Sequence, residues 1–384
     1  MKARGLLAAA ALCAACAAHK PGAVEARGTY YADSEGLTVV TTGAIVEQRV
    51  APRTSVQLLA LADRIVIDKQ PSVALRGGGQ ASGHRDTVDA VTSASIVVSG
   101  GDHQEKWRGE AQGGVIHDTD LGAAPLRLEV LARGSLERDY RSIAGRARAT
   151  VELFERNLAL SVFAGAGHDL VVPTQAPPGE AGLWPASHGR LNLGLTGTQL
   201  LGRSLSLNFG AAFNHQAGQL ANPYRRALVL TTLFPEELPR TRDRVTGFVG
   251  VSWAVAQQLA LHASAGGYAD SWGVRAFIPE AALVKELGSD KLVSLRYRYY
   301  RQRAARFYSP RYDQLLDVRS GDARLGQVEE HYPSVELRWT LLGQPGGSPS
   351  LTALGGYGLS LMNYRLIGLQ TSAVVLDAAL LGSW

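Results

Sequence analysis

The sequence predicts an all-β chain, a transmembrane antiparallel up-and-down β-barrel of about sixteen strands, with fourteen as the fallback count. Three observations predict it. Apolar and polar residues alternate with a period of two along many segments, which puts successive side chains on opposite faces. Several segments run for about ten residues, the length a tilted strand needs to cross a bilayer, against roughly five or six in soluble sheets. Counting strands back from Trp384, every long polar loop falls on one side of the sheet and most tight turns on the other.

The chain begins MKARGLLAAAALCAACAAHK. Lys2 and Arg4 form a basic head, Leu6 to Ala15 a short apolar run, and Ala15-Cys16-Ala17 a small-x-small cleavage site. Residues 1–17 therefore read as a secretory signal peptide, too short for a membrane helix. Cys16 also allows lipidation after cleavage before it, although the Leu usual three residues earlier is missing. Residues 18–26 read as a short linker and 27–384 as the barrel. Both cysteines, Cys13 and Cys16, lie in the leader, so the mature chain forms no internal disulfide.

"GTYYAD" (28–33) is expected as a short first strand turning at Ser34-Glu35-Gly36, which makes an otherwise odd count even. Further on, "WRGEAQGGV" sets Trp107, Ala111 and Val115 against Arg108, Glu110 and Gln112. "LRLEVLAR" sets Leu126, Leu128 and Val130 against Arg127, Glu129 and Arg133, and "LNLGLTG" and "LSLNFGAAFNH" repeat the pattern. "EAALVKELG" (280–288) has a helix-like composition, but Phe277, Ala281 and Leu283 satisfy alternation and it is read as strand. In "LVSLRYRYYRQ" the greasy side carries Val293, Leu295, Tyr297 and Tyr299 and the other carries Arg296 and Arg298. "VELRWTLL" follows suit with Glu336 and Arg338 on its polar side. Tight turns are expected at 51–53, 155–157, 201–203, 257–258, 288–290 and 343–350, and long loops at 69–104, 169–187, 218–243 and 307–329. Leu376, Ala378, Leu380, Gly382 and Trp384 share one parity and end on an aromatic, which resembles the C-terminal signal read by the barrel-assembly machinery.

A soluble sandwich also alternates. Against it, only 19% of residues are charged, low for a soluble surface, and so many long strands in open sheets would leave edges to protect. Lipid offers no hydrogen bonds, so a membrane sheet closes on itself, with outward apolar side chains and aromatic girdles. Tyr297, Tyr299, Trp253, Trp272, Trp339, Tyr357 and Trp384 are the girdle candidates. The formal charge of +5 falls to +3 when the two charges of Lys2 and Arg4 are removed, too little to argue for nucleic acid.

"DSWGVRAF…LVSLRYRYYRQRAARFYSP" (270–310), "DAVTSASI" (89–96) and "LERDYRS" (136–142) resemble the family of unknown function numbered 3570, which carries similar Asp-x-Trp-Gly, Arg-Tyr-Arg-Tyr-Tyr and Glu-x-Asp-Tyr-x-Ser elements. The resemblance implies an outer-membrane barrel. It implies no activity and no catalytic residue.

The expected function is a passive channel or transporter for a small solute in the outer membrane, with outer-membrane lipid around it. The alternatives are a structural barrel with a plugged lumen and, more remotely, a hydrolase. Arg127, Glu129, Arg133, Arg296, Arg298, Glu336 and Arg338 are expected to line the pore as a salt-bridged wall that fills or narrows the lumen, with an anion-attracting constriction at Arg296 and Arg298 as the alternative. Further inward positions are expected at Arg108, Glu110, Glu137, Asp139, Arg141, Arg146, Arg148 and Glu152. Hydrolase candidates are His262 with Ser264, His168-Asp169 and Asn214-His215, none with a third group, so the chain is not read as an enzyme. No cofactor or metal is expected, because the histidines lack ligand spacing. Gly77-Gly78-Gly79 opens no helix and reads as a flexible loop, and "ALVLTTLFPEELP" (227–239) reads as an external hairpin, with a lid, an inward constriction or a partner contact as the alternatives.

Overall fold

The computed structural model describes residues 21–67, 104–173, 184–344 and 348–384, with isolated positions at 74–75, 79–80, 87–88, 95–96 and 182. The expected leader with Cys16, and nearly all of the 69–104 loop with Gly77 and Gly78, lie outside the described residues.

Sixteen antiparallel strands form one closed ring. They are β1 (Gly22–Asp33), β2 (Leu37–Ala51), β3 (Thr54–Ile67), β4 (Gln104–Leu121), β5 (Ala124–Glu137) and β6 (Tyr140–Leu153). Then come β7 (Leu158–Val171), β8 (Ala186–Leu200), β9 (Leu205–Gly218), β10 (Thr241–Ala256) and β11 (Leu259–Asp270). The ring is completed by β12 (Arg275–Leu287), β13 (Lys291–Arg303), β14 (Val328–Leu342), β15 (Ser350–Tyr364) and β16 (Leu369–Ser383). Each strand pairs with its sequence neighbours, and β1 also pairs with β16. The first strand starts at Gly22, earlier than the expected 28, because Val24 and Ala26 continue its outward parity. The 280–288 segment is strand, within β12. No helix among the described residues is long and apolar enough to cross a membrane.

At one end of the ring the joins have two to seven residues, at 52–53, 122–123, 154–157, 201–204, 257–258, 288–290 and 343–349. Gly22 and Trp384 lie at this end and exchange backbone hydrogen bonds of 3.1 Å each way. The joins at 172–185, 219–240 and 304–327, and the long 68–103 connection, are all at the other end. Every long join is at that end, beside short ones at 34–36, 138–139, 271–274 and 365–368, and this one-sided placement of the long loops is what outer-membrane barrels show.

The register fixes which side chains share a face. Outward parity carries Leu58, Trp107, Val130, Ile143, Val162, Val249 and Leu295, all more than half exposed. Inward parity carries the arginines, carboxylates, asparagines and threonines. Strands of 12–18 residues exceed the span a bilayer needs, so their ends project beyond it. Trp253, Trp339, Tyr297 and Tyr357 are on the outer face as expected. Trp272 is not a girdle residue: it is 5% exposed, sits in the β11–β12 turn and lies under the Arg242 guanidinium at 4.1 Å. Arg141 is also not inward. The two-residue join at 138–139 resets the alternation, so Glu137 and Ser142 point in while Arg141 points out and Asp139 belongs to the turn.

Two turns at the long-loop end are built alike. Asp33 Oδ1 accepts from Glu35 N at 3.0 Å and Leu37 N at 2.9 Å. Asp270 Oδ1 accepts from Trp272 N at 3.0 Å and Val274 N at 2.9 Å. In each, a tyrosine two residues earlier donates to the other carboxylate oxygen, Tyr31 at 3.3 Å and Tyr268 at 2.8 Å. Gly36 and Gly273 supply the left-handed step, with φ of 86° and 94°. The serines Ser34 and Ser271 tie back to Ser372 and Asp243 of the preceding strand in the same way. The sequence repeat behind this, Tyr-Ala-Asp-Ser-x-Gly at 31–36 and 268–273, is readable directly.

Candidate functional site

The lumen is the candidate site, and charge is its main feature. Arg127, Glu129, Arg133, Arg296, Arg298, Glu336 and Arg338 all have inward parity. Five of the seven are in ion pairs: Arg127 with Asp118 at 2.8 Å, Arg133 with Glu110 at 3.1 Å, Glu129 with Arg148 at 4.0 Å, Arg296 with Glu280 at 3.6 Å and Arg298 with Glu330 at 3.1 Å. Arg296 and Arg298 therefore face the lumen with their charge matched. Opposite charges on adjacent strands explain the pairs: inward side chains directly or diagonally across a ladder come within reach of one another.

Several pairs are largely enclosed, among them Asp63 with Arg108. Asp63 of β3 is 0% exposed and meets Arg108 Nε of β4 at 2.6 Å, with Thr41 Oγ1 donating at 2.6 Å. Removing one member strands the other charge, so Asp63→Ala is expected to cost about 3–5 kcal/mol. Asp63→Ala with Arg108→Met is expected to recover most of it. Reversible urea unfolding in lipid vesicles reads both. A single-variant loss well under about 1 kcal/mol would mean that lumen water screens the pair.

Between the charged pairs the lumen keeps open space. A cavity of about 590 Å³ lies against β8–β13 and includes Thr196, Ser264, Tyr300, Gln302 and Arg324 in its walls. A second, of about 560 Å³, lies against β4–β11 and includes Arg133, Arg146, Arg190 and Arg244. Phe163 borders both. Phe163 and Phe248 are inward aromatics, against the alternation, and each lies against an inward glycine. A Cβ at Gly194 would stand 2.3 Å from the Phe163 ring, and one at Gly210 2.5 Å from Phe248.

The stretch 227–239 forms half of a cap over the long-loop end. Arg226–Val229 and Thr232–Pro235 pair as a hairpin. The hairpin bonds to the 304–327 loop through Leu230 N to Tyr312 O at 2.7 Å and Tyr312 N to Leu228 O at 2.9 Å. Glu237 and Arg319 exchange backbone bonds of 2.8 and 2.9 Å. Ala227, Val229 and Tyr312 are buried together. Beneath them Arg225 Nη1 reaches Asp322 at 2.9 Å and Glu236 at 3.6 Å, while Asn222 N and Ser320 Oγ donate to Glu236. Burial pushes the Glu236 carboxyl above its ordinary range, against the pull of Arg225. Burial would raise Asp322 too, but Arg225 and Arg324 hold it well below.

The cap spans the mouth. Tyr224 donates to Asp139 in the β5–β6 turn at 3.1 Å, and Trp272, Val274, Ala305 and Leu325 form a small core beside β11–β13. Gln302, on the inner wall of β13, donates to Arg324 O at 2.6 Å and Gly326 O at 2.9 Å, and this folds the loop inward until Arg324 borders the lumen cavity. The "LERDYRS" motif works here as well: Glu137 pairs with Lys106 at 2.6 Å, Asp139 receives Tyr224, and Ser142 Oγ accepts from Arg190 at 2.8 Å.

The hydrolase candidates do not converge. His262 and Ser264 share the inner face, but His262 Nδ1 bonds Ser252 Oγ at 2.8 Å. His168 and Asp169 lie on opposite faces, and Asp169 is taken by His188 and Arg190 at 3.1 and 2.9 Å. His215 bonds Asp243 at 2.6 Å on the outer face, away from Asn214. Among the described residues no group of three or more His, Cys, Asp or Glu is placed to hold a metal.

A closed sixteen-strand ring with an apolar outside, a charged inside and one-sided loops has the fold of outer-membrane β-barrels. Residues 186–344 match the family described as "Protein of unknown function (DUF3570)". That span contains the 270–310 motif and stops short of those at 89–96 and 136–142. A solved structure titled "Bacterial polysaccharide outer membrane secretin" is similar with a TM-score of 0.53 at 8% identity, covering 95% of this chain and 99% of that one. The outer membrane protein opdK from Pseudomonas aeruginosa aligns at a TM-score of 0.44 and 10% identity, over 96% of this chain and 100% of that one. A mutant of the ferric enterobactin receptor PfeA, from the same organism, aligns at 0.45 and 10%, over 90% of this chain and 53% of that one. No curated protein matches. At these identities the likeness is one of fold.

Proposed function

We propose that the protein is a passive channel for small polar solutes, gated at its external mouth by the cap. The observation that carries this is the lumen itself: a sixteen-strand ring whose inner wall is charged and leaves cavities of about 590 and 560 Å³. Rings of this size are wide enough for an aqueous path, whereas eight-strand rings are filled by their own side chains. In this reading residues 1–17 are a signal peptide removed on export, the barrel-assembly machinery inserts the ring, and lipid covers its outer face. Arg127, Glu129, Arg133, Arg296, Arg298, Glu336 and Arg338 then line the path, most of them as matched pairs that keep the wall wet without a strong net field.

The packed cap favours a second reading, a structural barrel whose lumen stays plugged. Planar-bilayer recording separates the two. The channel reading expects stepwise currents, and purified protein that shifts on gels after boiling yet gives no current at any voltage would favour the plugged barrel. A protein that is soluble without detergent would sink both.

A further inference from the structure

The matched pairs are unevenly distributed, and the imbalance falls in one place. The second cavity has four arginines in its wall, at 133, 146, 190 and 244, and no carboxylate side chain. Arg133 and Arg190 are matched by Glu110 at 3.1 Å and Asp169 at 2.9 Å. Arg146 and Arg244 have no ion pair within 4.0 Å among the described residues. The acids that could serve them are already committed. Asp270, opposite Arg244 in the ladder, is held by Arg242 at 2.5 Å, by Tyr268 and by two turn amides. Glu129, on the strand beside Arg146, reaches Arg148 at 4.0 Å. Arg244 Nε is buried with no hydrogen-bond partner.

We propose that this cavity is a binding subsite for small anions that carry a carboxylate or phosphate group, with Arg146 and Arg244 as the principal ligands. A guanidinium presents a planar fork of donors that fits two oxygens of either group. Two such forks on one cavity, short of counter-charge in a wall of low polarisability, leave a potential that an anion relieves and a neutral solute does not. At about 560 Å³ the space is within the range of small-molecule sites and admits a molecule of citrate size. Asn192 and Asn214, linked by a 2.5 Å bond from Asn214 Nδ2 to Asn192 Oδ1, add a polar floor. The subsite deepens the channel reading and rests on it for the route by which an anion arrives.

The test uses the full mature chain in detergent, with citrate and inorganic phosphate as separate probes in titration calorimetry. Binding of one or both is expected, weakening as salt rises. In Arg146→Gln/Arg244→Gln the dissociation constant is expected to rise about tenfold or more, the effect of losing charge-assisted bonds. Arg146→Lys/Arg244→Lys should fall between, since it keeps the charge and loses the fork. Gel mobility before and after boiling shows that each variant has closed its ring. Which probe binds tells a carboxylate site from a phosphate site. Folded wild type that binds neither at millimolar concentration, or a Gln pair that binds as well as wild type, overturns the subsite. Binding in a barrel that carries no current upholds the subsite and removes the channel reading, whereas current without binding does the reverse.

Discussion

Val249→Arg is expected to lower sharply the fraction of chain that closes into a ring, while Ser264→Arg leaves it intact. Val249 lies midway along β10, points outward and is 51% exposed. Ser264 is on the next strand at nearly the same height, opposite Gly250, and points into the larger cavity. The two side chains differ little in distance from the membrane faces and differ in what surrounds them. A cation on the lipid face of a barrel at the midplane costs roughly 2–4 kcal/mol. In the lumen it meets water and Glu280, which borders the same cavity. The readout is the fraction of protein that shifts mobility on boiling, with refolding into lipid vesicles as a second measure. Equal tolerance of both substitutions would mean that water, not hydrocarbon, covers the outer face.

Excising the hairpin is expected to raise conductance severalfold. Arg225 and Glu236 are already joined by a 3.1 Å bond from Glu236 N to Arg225 O, so residues 226–235 can be replaced by Gly-Gly without pulling the loop ends apart. The deletion removes the buried contact of Ala227 and Val229 with Tyr312 and the two backbone bonds that Leu228 and Leu230 make with Tyr312, and leaves the bonds of Glu237 with Arg319 and of Gln302 with Arg324 and Gly326. It touches no barrel strand, so ring closure should be unaffected. Single-channel recording of the two proteins at the same salt decides the matter. Equal conductance would show that the cap stands clear of the path, and a silent variant would show a block deeper in the lumen.

The ring was legible in the sequence because its physics is local. Alternation, strand length and the one-sided placement of loops each depend on a few neighbouring residues, and the parity of Arg296 and Arg298 against Tyr297 and Tyr299 followed from them. What was hidden depends on contacts distant in sequence. Trp272 reads as a girdle aromatic until Arg242, thirty residues earlier, is seen over its ring. Arg141 reads as inward until the join at 138–139 is known to reset the phase. Phe163 and Phe248 contradict the alternation, and only the glycines opposite them show how they fit. The cap drew notice as an apolar run in a long loop, but nothing in that run names its partner, Tyr312. Arg190, Arg242 and Arg244 alternate in the sequence, but they sit at strand ends, where a loop reading competes. The Tyr-Ala-Asp-Ser-x-Gly repeat is plain in the letters, because each copy is a local turn.

The seam between the first and last strands governs how the molecule can form. Thr29 Oγ1 donates to Asp377 at 2.8 Å across 348 residues of chain, and eleven backbone positions register along the same line. Joining points that far apart costs on the order of 5 kcal/mol in chain entropy before any contact offsets it. Every earlier ladder can zip locally as a hairpin, but this one waits for the whole polypeptide. Until then two raw edges stand open to other chains, so the last step is the slow one and the unfinished sheet is the species prone to aggregate.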